Sequence, residues 1–279
     1  MLSDITLGQF FPGKSLLHRL DPRTKVILSV LYMVAVFAAK HVFLYAWMIA
    51  VTVLMIALSG ISGKVILKSL KPLLFIFLFT SILNVFFTTG EGEPLLSFWR
   101  IRIYTEGLWR ALLMVVRVSL LVTGVSVLLT YTTSPIALTD AIERLLAPLK
   151  LIKVPVHDFA MMMSIALRFI PTLVEETEKI MNAQKARGAD FTSGGLLRRA
   201  KALIPILIPL FISSFNHAND LAIAMECRCY RGGQGRTKMT ELRYGGRDYL
   251  AMVLCAGLLA AVLVGNGFFL RLGVGYYMP

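Results

Sequence analysis

Cysteine is nearly absent, acidic residues are scarce, and nucleophiles are nowhere grouped with bases. The three cysteines, Cys227, Cys229 and Cys255, give no paired framework of the kind that staples a small secreted domain, so free thiols are expected. Asp and Glu number 16 against 29 Lys and Arg. No Ser/His/Asp set or pair of carboxylates stands out, so no catalytic residue is assigned. Met1–Arg23 lacks an apolar core ahead of a small-residue cleavage site, and no cleaved signal peptide is expected.

Apolar sequence fills the chain instead. Of its 279 residues 57% are hydrophobic, and mean hydropathy is +0.72; a soluble domain holds about 45–50% apolar residues. This is the composition of a polytopic, all-α membrane protein. A net charge of +13 would suit nucleic acid in a soluble protein. Here the cations gather at the ends of apolar runs, where the positive-inside rule places them, so the partner is the lipid bilayer and no nucleic acid is expected.

A helix needs roughly 20 mainly apolar residues to cross a hydrocarbon core about 30 Å thick. Five stretches meet or approach that length: Val26–Ala39, Val42–Leu58, Leu73–Phe87, Leu108–Thr130 and Tyr249–Leu270. The first and third are short unless flanking residues contribute. His18, Arg19, Arg23 and Lys25 precede the first, and Lys64, Lys68 and Lys71 separate the second from the third, which puts both flanks and the N-terminus in the cytoplasm. The connection Thr88–Thr105 reads as a short external loop. The chain thus divides into a four-span region at residues 1–131, a cytoplasmic region at 132–248, and a last span with an external C-terminus at 249–279.

The cytoplasmic region shows neither strand alternation nor a βαβ rhythm, which excludes a soluble enzyme domain there. It reads as three amphipathic helices. The first opens at Ser134-Pro135, a capping serine followed by a proline suited to the first helical turn, and runs to about Ala147. The second spans about Val156 to Ala186, with Phe159, Met163, Ala166, Ile170, Leu173, Thr177 and Ile180 on one stripe and Pro171 as a place to kink. The third runs from about Leu196 to Cys229, interrupted by Pro205 and Pro209. Arg168 in the second, and Asn216, His217, Asn219 and Asp220 in the third, argue against membrane burial, since an arginine at the bilayer centre costs at least about 2.5–3.5 kcal/mol. A sixth and seventh span are the alternative.

Three of the motifs that catch the eye dissolve on inspection. Gly8-Gln9-Phe10-Phe11-Pro12-Gly13-Lys14-Ser15 fits the P-loop expression by letter. A phosphate cradle, however, needs inward backbone N–H groups between a strand and a helix; Pro12 has no N–H, and two phenylalanines crowd the loop. Cys227-x-Cys229 supplies two thiolates where a structural metal site needs four ligands, and Met161-Met162-Met163 is adaptable helix packing. Arg117, within the fourth span, is either a tether to backbone carbonyls or a carboxylate inside the bundle, or a functional group.

Ala186-Arg187-Gly188 and Cys227-Arg228-Cys229 remain. Each ends a helical run with a proline at its head, and each gives way to glycine-bearing polar chain. A guanidinium offers five donors in a rigid planar fork, suited to a carboxylate or a helix end in a partner's groove. A single one would read as an ordinary basic helix end. Its duplication points to a duplicated partner.

Leu20-Asp21-Pro22-Arg23-Thr24-Lys25, Arg168-Phe169-Ile170-Pro171, Ala183-Gln184-Lys185-Ala186-Arg187-Gly188 and Ala224-Met225-Glu226-Cys227-Arg228-Cys229-Tyr230 resemble the motifs of the transmembrane T component of energy-coupling factor transporters, relatives of cobalt-type importer permeases. The second arginine motif departs from the Ala-Arg-Gly pattern by placing cysteines around Arg228. The resemblance implies a multi-pass scaffold in a bacterial cytoplasmic membrane. Two ABC-type ATPase subunits would bind Ala186, Arg187, Gly188 and Cys227, Arg228, Cys229, and a small membrane substrate-binding S component would capture a vitamin or metal ion. It also implies that this chain needs no cofactor, the ATP being held by the partner subunits. A self-contained carrier using Arg117 and Arg168 would require inverted repeats or broken helices at matching positions, and a lipid-linked transferase would require a carboxylate or histidine cluster. Neither feature is found in the sequence.

Overall fold

A computed structural model describes residues 10–87, 96–98, 101–191, 195–232 and 242–271. Among them are nine α-helices: α1 (Pro22–Ala38), α2 (Val42–Ser59), α3 (Gly63–Leu70), α4 (Leu74–Phe87), α5 (Thr105–Val125), α6 (Pro135–Leu145), α7 (Val156–Ala186), α8 (Leu196–Cys227) and α9 (Gly246–Arg271). The fold is all-helical apart from one hairpin, in which β1 (Leu96–Phe98) pairs antiparallel with β2 (Ile101–Ile103). That hairpin lies in the connection read as an external loop and was not anticipated.

Among the described residues five helical segments are long and apolar enough to cross a membrane: Val42–Ser59, Gly63–Phe86, Thr105–Tyr131, Leu197–Cys227 and Gly246–Phe268. The protein is a multi-pass membrane protein. The number matches the expectation, but the membership differs. The third segment gains length because one 3-10 turn, Lys71–Leu73, joins α3 to α4 around Pro72. At 17 residues α1 is a little short by itself. α8 qualifies on length and composition, although its mean hydropathy of 1.3 is the lowest of the five.

The chain forms two compact units. The first draws on the sequence from α1 to the first half of α6 and on α9. Its core is built from α1, α2, α5 and α9, around Tyr32, Val36, Tyr45, Met48, Leu113, Leu120 and Val262. Tyr32 is the organising residue. Its hydroxyl is shared with Thr52 Oγ1 at 2.7 Å and donates to the Leu120 carbonyl at 3.2 Å, while its ring lies where a Cβ on Gly124 would stand. Beyond Val125, α5 continues as a π-helical turn over Ser126–Tyr131. Large apolar side chains such as Phe37, Phe43, Phe75 and Leu78 point outward, an arrangement suited to lipid rather than water.

The second unit runs from Ile142 to α8. Ser134 Oγ accepts from Ala137 N at 3.3 Å, the cap expected of it, and α6 ends at Leu145 before a 3-10 stretch over Ala147–Ile152. α8 runs through Pro205 and Pro209 as a single helix, so the interruption expected there is absent, and α7 likewise continues through Pro171. A proline removes one N–H and leaves a carbonyl one turn earlier without its helical donor. At one such place, Gln184 Nε2 reaches the Pro205 carbonyl at 3.5 Å.

Candidate docking sites at two helix ends

The two arginine motifs fold into the same turn. In α7 the last helical residue is Ala186, Arg187 is the cap with φ −85° and ψ 6°, and Gly188 turns left-handed at φ +86°. Gly188 N donates to the Lys185 carbonyl at 2.9 Å and Ala189 N to the Gln184 carbonyl at 3.0 Å. In α8 the corresponding residues are Cys227, Arg228 with φ −89° and ψ 13°, and Cys229 at φ +58°. Cys229 N donates to the Glu226 carbonyl at 2.8 Å and Tyr230 N to the Met225 carbonyl at 3.0 Å. Both are Schellman caps, in which a left-handed residue lets two N–H groups satisfy the helix's last carbonyls. Glycine takes that conformation without a Cβ penalty, whereas cysteine bears one.

The caps give each guanidinium the same setting. Arg187 and Arg228 are exposed, as are Ala186, Gly188, Cys227 and Cys229. Among the described residues neither guanidinium has a hydrogen-bond or ion-pair partner. Each lies at the negative end of a helix dipole, which favours a cation, and each keeps its donors free for another molecule.

α7 and α8 pair as an antiparallel hairpin. Gln184 meets Pro205 near one end, and Tyr230 Oη donates to Met161 Sδ at 3.2 Å near the other. In between, Glu176 accepts from Ser213 Oγ at 2.9 and 3.0 Å and bonds His217 Nε2 at 2.8 Å. The His217 ring stacks on Phe169 at 6.0 Å. Those hydrogen bonds, His217 first and Ser213 second, hold the Glu176 carboxyl below the usual carboxylate range. The face of α7 that meets α8 therefore carries Phe169, Glu176 and Gln184 and lies beside the apolar stripe read from the sequence; Phe159 and Met163 of that stripe are 60% and 53% exposed. Because the hairpin is antiparallel, Arg187 and Arg228 stand at its opposite ends, on the order of 35 Å apart at 1.5 Å per residue.

Arg117 is a tether. Its Nε donates to Tyr45 Oη at 2.7 Å and its Nη2 to the Ala39 carbonyl at 3.1 Å. Asn266 Nδ2 donates to the neighbouring Ala38 carbonyl at 2.6 Å, so two side chains satisfy carbonyls that the end of α1 leaves without helical donors. Of the P-loop look-alike, Gly8 and Gln9 lie outside the described residues. In the remainder Ser15 Oγ pairs with His18 Nδ1 at 2.6 Å and Phe11 N donates to the Tyr131 carbonyl at 3.1 Å. Among the described residues no group of three or more His, Cys, Asp and Glu is placed to hold a metal.

Sequence reasoning missed a buried polar cluster at the head of α1. Asp21 caps the helix by accepting from Arg23 N at 2.9 Å, and its carboxylate pairs with Arg23 Nη2 at 2.9 Å. The Arg23 guanidinium lies 3.9 Å from the centre of the Tyr244 ring. Asp248, at the start of α9, accepts from Asp21 N and Gly245 N, both at 2.8 Å. Lys25 is 2% exposed and donates to the Thr132 carbonyl at 2.7 Å. Arg23 and Lys25, counted in the sequence as charges flanking the first span, also serve as internal fasteners. The sequence signals were the Leu20–Lys25 motif with its density of polar residues, and Asp248 ahead of the last span.

Comparison with known proteins places these observations. The sequence profile of the family described as cobalt transport protein, CbiQ, matches residues 13–239. The chain is 50% identical over 264 residues to the energy-coupling factor transporter transmembrane protein EcfT of Clostridium kluyveri, covering 95% of this chain and 97% of that one. It is 52% identical to the Acidaminococcus fermentans protein of the same name, over 98% and 99% of the two chains. With the Bacillus subtilis protein it shares 45% identity over 97% and 100%.

Proposed function

Since this chain belongs to the EcfT family of energy-coupling factor transporter transmembrane proteins, within the cobalt transport protein family CbiQ, we propose that it is the scaffold joining two cytoplasmic ABC-type ATPase subunits to a separate membrane subunit that captures a vitamin or metal ion. The observation that carries this reading is the pair of equal caps at opposite ends of one helical hairpin, each presenting a guanidinium that has no partner among the described residues. Two separated tips of the same build suit two copies, or two close relatives, of one partner. A planar fork between small neighbours suits a groove that closes over it.

In this reading α7 and α8 lie on the cytoplasmic side with the N-terminus, and the C-terminus lies outside. The pairing of α7 with α8 supports this placement: α8 is long and apolar enough to cross a membrane, but α7 is not among the segments that are, and the two helices meet through the polar side chains of Glu176, Ser213 and His217. When ATP draws the two ATPases together, the tips move relative to each other. The hairpin passes that displacement to the membrane helices and the substrate subunit. The chain itself contributes no catalytic group; it positions and transmits.

Reconstitution into liposomes tests the proposal. ATP-dependent uptake should require this chain, both ATPase copies and a substrate subunit together. Uptake by this chain alone would contradict the scaffold reading.

A further inference from the structure

The two ends share one backbone turn but not one chemistry. Where the first has Ala186 and Gly188, the second has Cys227 and Cys229, one thiol on each side of Arg228. Both thiols are free and exposed. Cys229 occupies the left-handed position of the cap at φ +58°, where Gly188 carries no side chain. The third cysteine, Cys255, is half-buried in α9, with its Sγ 3.8 Å from the Leu28 carbonyl. Accessible thiols among the described residues are thus confined to one of the two arginine ends.

We infer that Cys227 and Cys229 form a thiol-modification site for low-molecular-weight disulfides, glutathione disulfide being the model reagent, and that its modification releases the partner docked at Arg228 while leaving the partner at Arg187 in place. This inference rests on the docking reading above. In the step, the thiolate of either cysteine attacks one sulfur of glutathione disulfide. A new S–S bond forms to the protein, the S–S bond of the reagent breaks, and the departing glutathione thiolate takes up a proton from water. The cysteine is oxidised and the reagent reduced, with nothing else consumed. The adduct places a bulky peptide of net negative charge beside Arg228, where it competes for the guanidinium fork and fills the space a closing groove needs. The Ala186-Arg187-Gly188 end has no sulfur and cannot respond. Docking and modification exclude each other, so a bound ATPase also shields the thiols.

The experiment uses the full chain and its two ATPases. The free chain is exposed to glutathione disulfide, the adduct is located by mass spectrometry, and the ATPase copies retained on purification are counted before and after reduction with dithiothreitol. The expected result is an adduct at Cys227 or Cys229, at least tenfold weaker docking of one ATPase copy, and full recovery on reduction. Cys255→Ser should behave as the parent does, and Cys227→Ala/Cys229→Gly, compared with itself before and after exposure, should not change. A chain modified at Cys227 or Cys229 that still binds both copies as before would overturn the inference, as would the absence of any adduct on the free chain. The docking reading fails separately, if unmodified Arg228→Ala retains both copies.

Discussion

Glu176 and His217 meet at 2.8 Å across α7 and α8, and each stands eleven residues ahead of an arginine, Arg187 on one helix and Arg228 on the other. The hairpin is therefore pinned midway between its two arginine ends, with arms of equal length.

Breaking that pin should loosen the hairpin. Hydrogen bonds to a charged group contribute about 1.5–3 kcal/mol when buried; with Glu176 and His217 partly exposed, Glu176→Ala is expected to cost about 1–2 kcal/mol. A double-mutant cycle with His217→Ala, read by thermal unfolding in detergent, should show a coupling of at least about 0.5 kcal/mol. Strict additivity would mean the contact holds nothing together.

The caps make a prediction about backbone alone. No atom lies within 4 Å of where a Cβ on Gly188 would stand, yet its φ is +86°. Gly188→Ala should therefore cost about 1–2 kcal/mol through the left-handed conformation and fray the end of α7, as measured by hydrogen exchange at Ala189. Unchanged protection there would show that the cap tolerates a side chain as readily at Gly188 as at Cys229.

Gly124 is constrained by space instead. A Cβ there would run into the Tyr32 ring, so Gly124→Ala should destabilise the α1–α5 packing by about 1–3 kcal/mol. In a Tyr32→Ala background the same substitution should cost less, because the colliding ring is gone. An equal loss in both backgrounds would contradict the close approach.

Arg117 separates the scaffold from a carrier. With its donors spent on Tyr45 and Ala39, Arg117→Met should lower stability by about 1–3 kcal/mol and leave ATPase docking intact once the protein is folded. Stability unchanged, with substrate binding by the isolated chain abolished, would favour the carrier.

What the sequence disclosed, and what it concealed, follow from the range of the interactions. Hydropathy located α2, α4, α5 and α9, and the local Ser134-Pro135 signal located the start of α6, because each is decided by neighbours in sequence. Pro205 and Pro209 of α8 misled, since a helix held along its length by a partner can absorb a missing N–H. The bond from Lys25 to the Thr132 carbonyl was hidden because the two are remote in sequence, and the bond from Asp21 N to Asp248 was hidden for the same reason. The arginine ends were legible as a repeated motif. Their identical caps and their places at opposite ends of one hairpin were not, because both depend on backbone geometry and on the pairing of α7 with α8.

The central claim concerns how many partners each arginine holds. Counting ATPase copies per chain by native mass spectrometry in mild detergent tests it most directly. The account predicts two copies on the parent chain, one on Arg187→Ala, one on Arg228→Ala, and none on the double variant, each truncation costing about 2–5 kcal/mol of docking. Two copies retained on the double variant would contradict it.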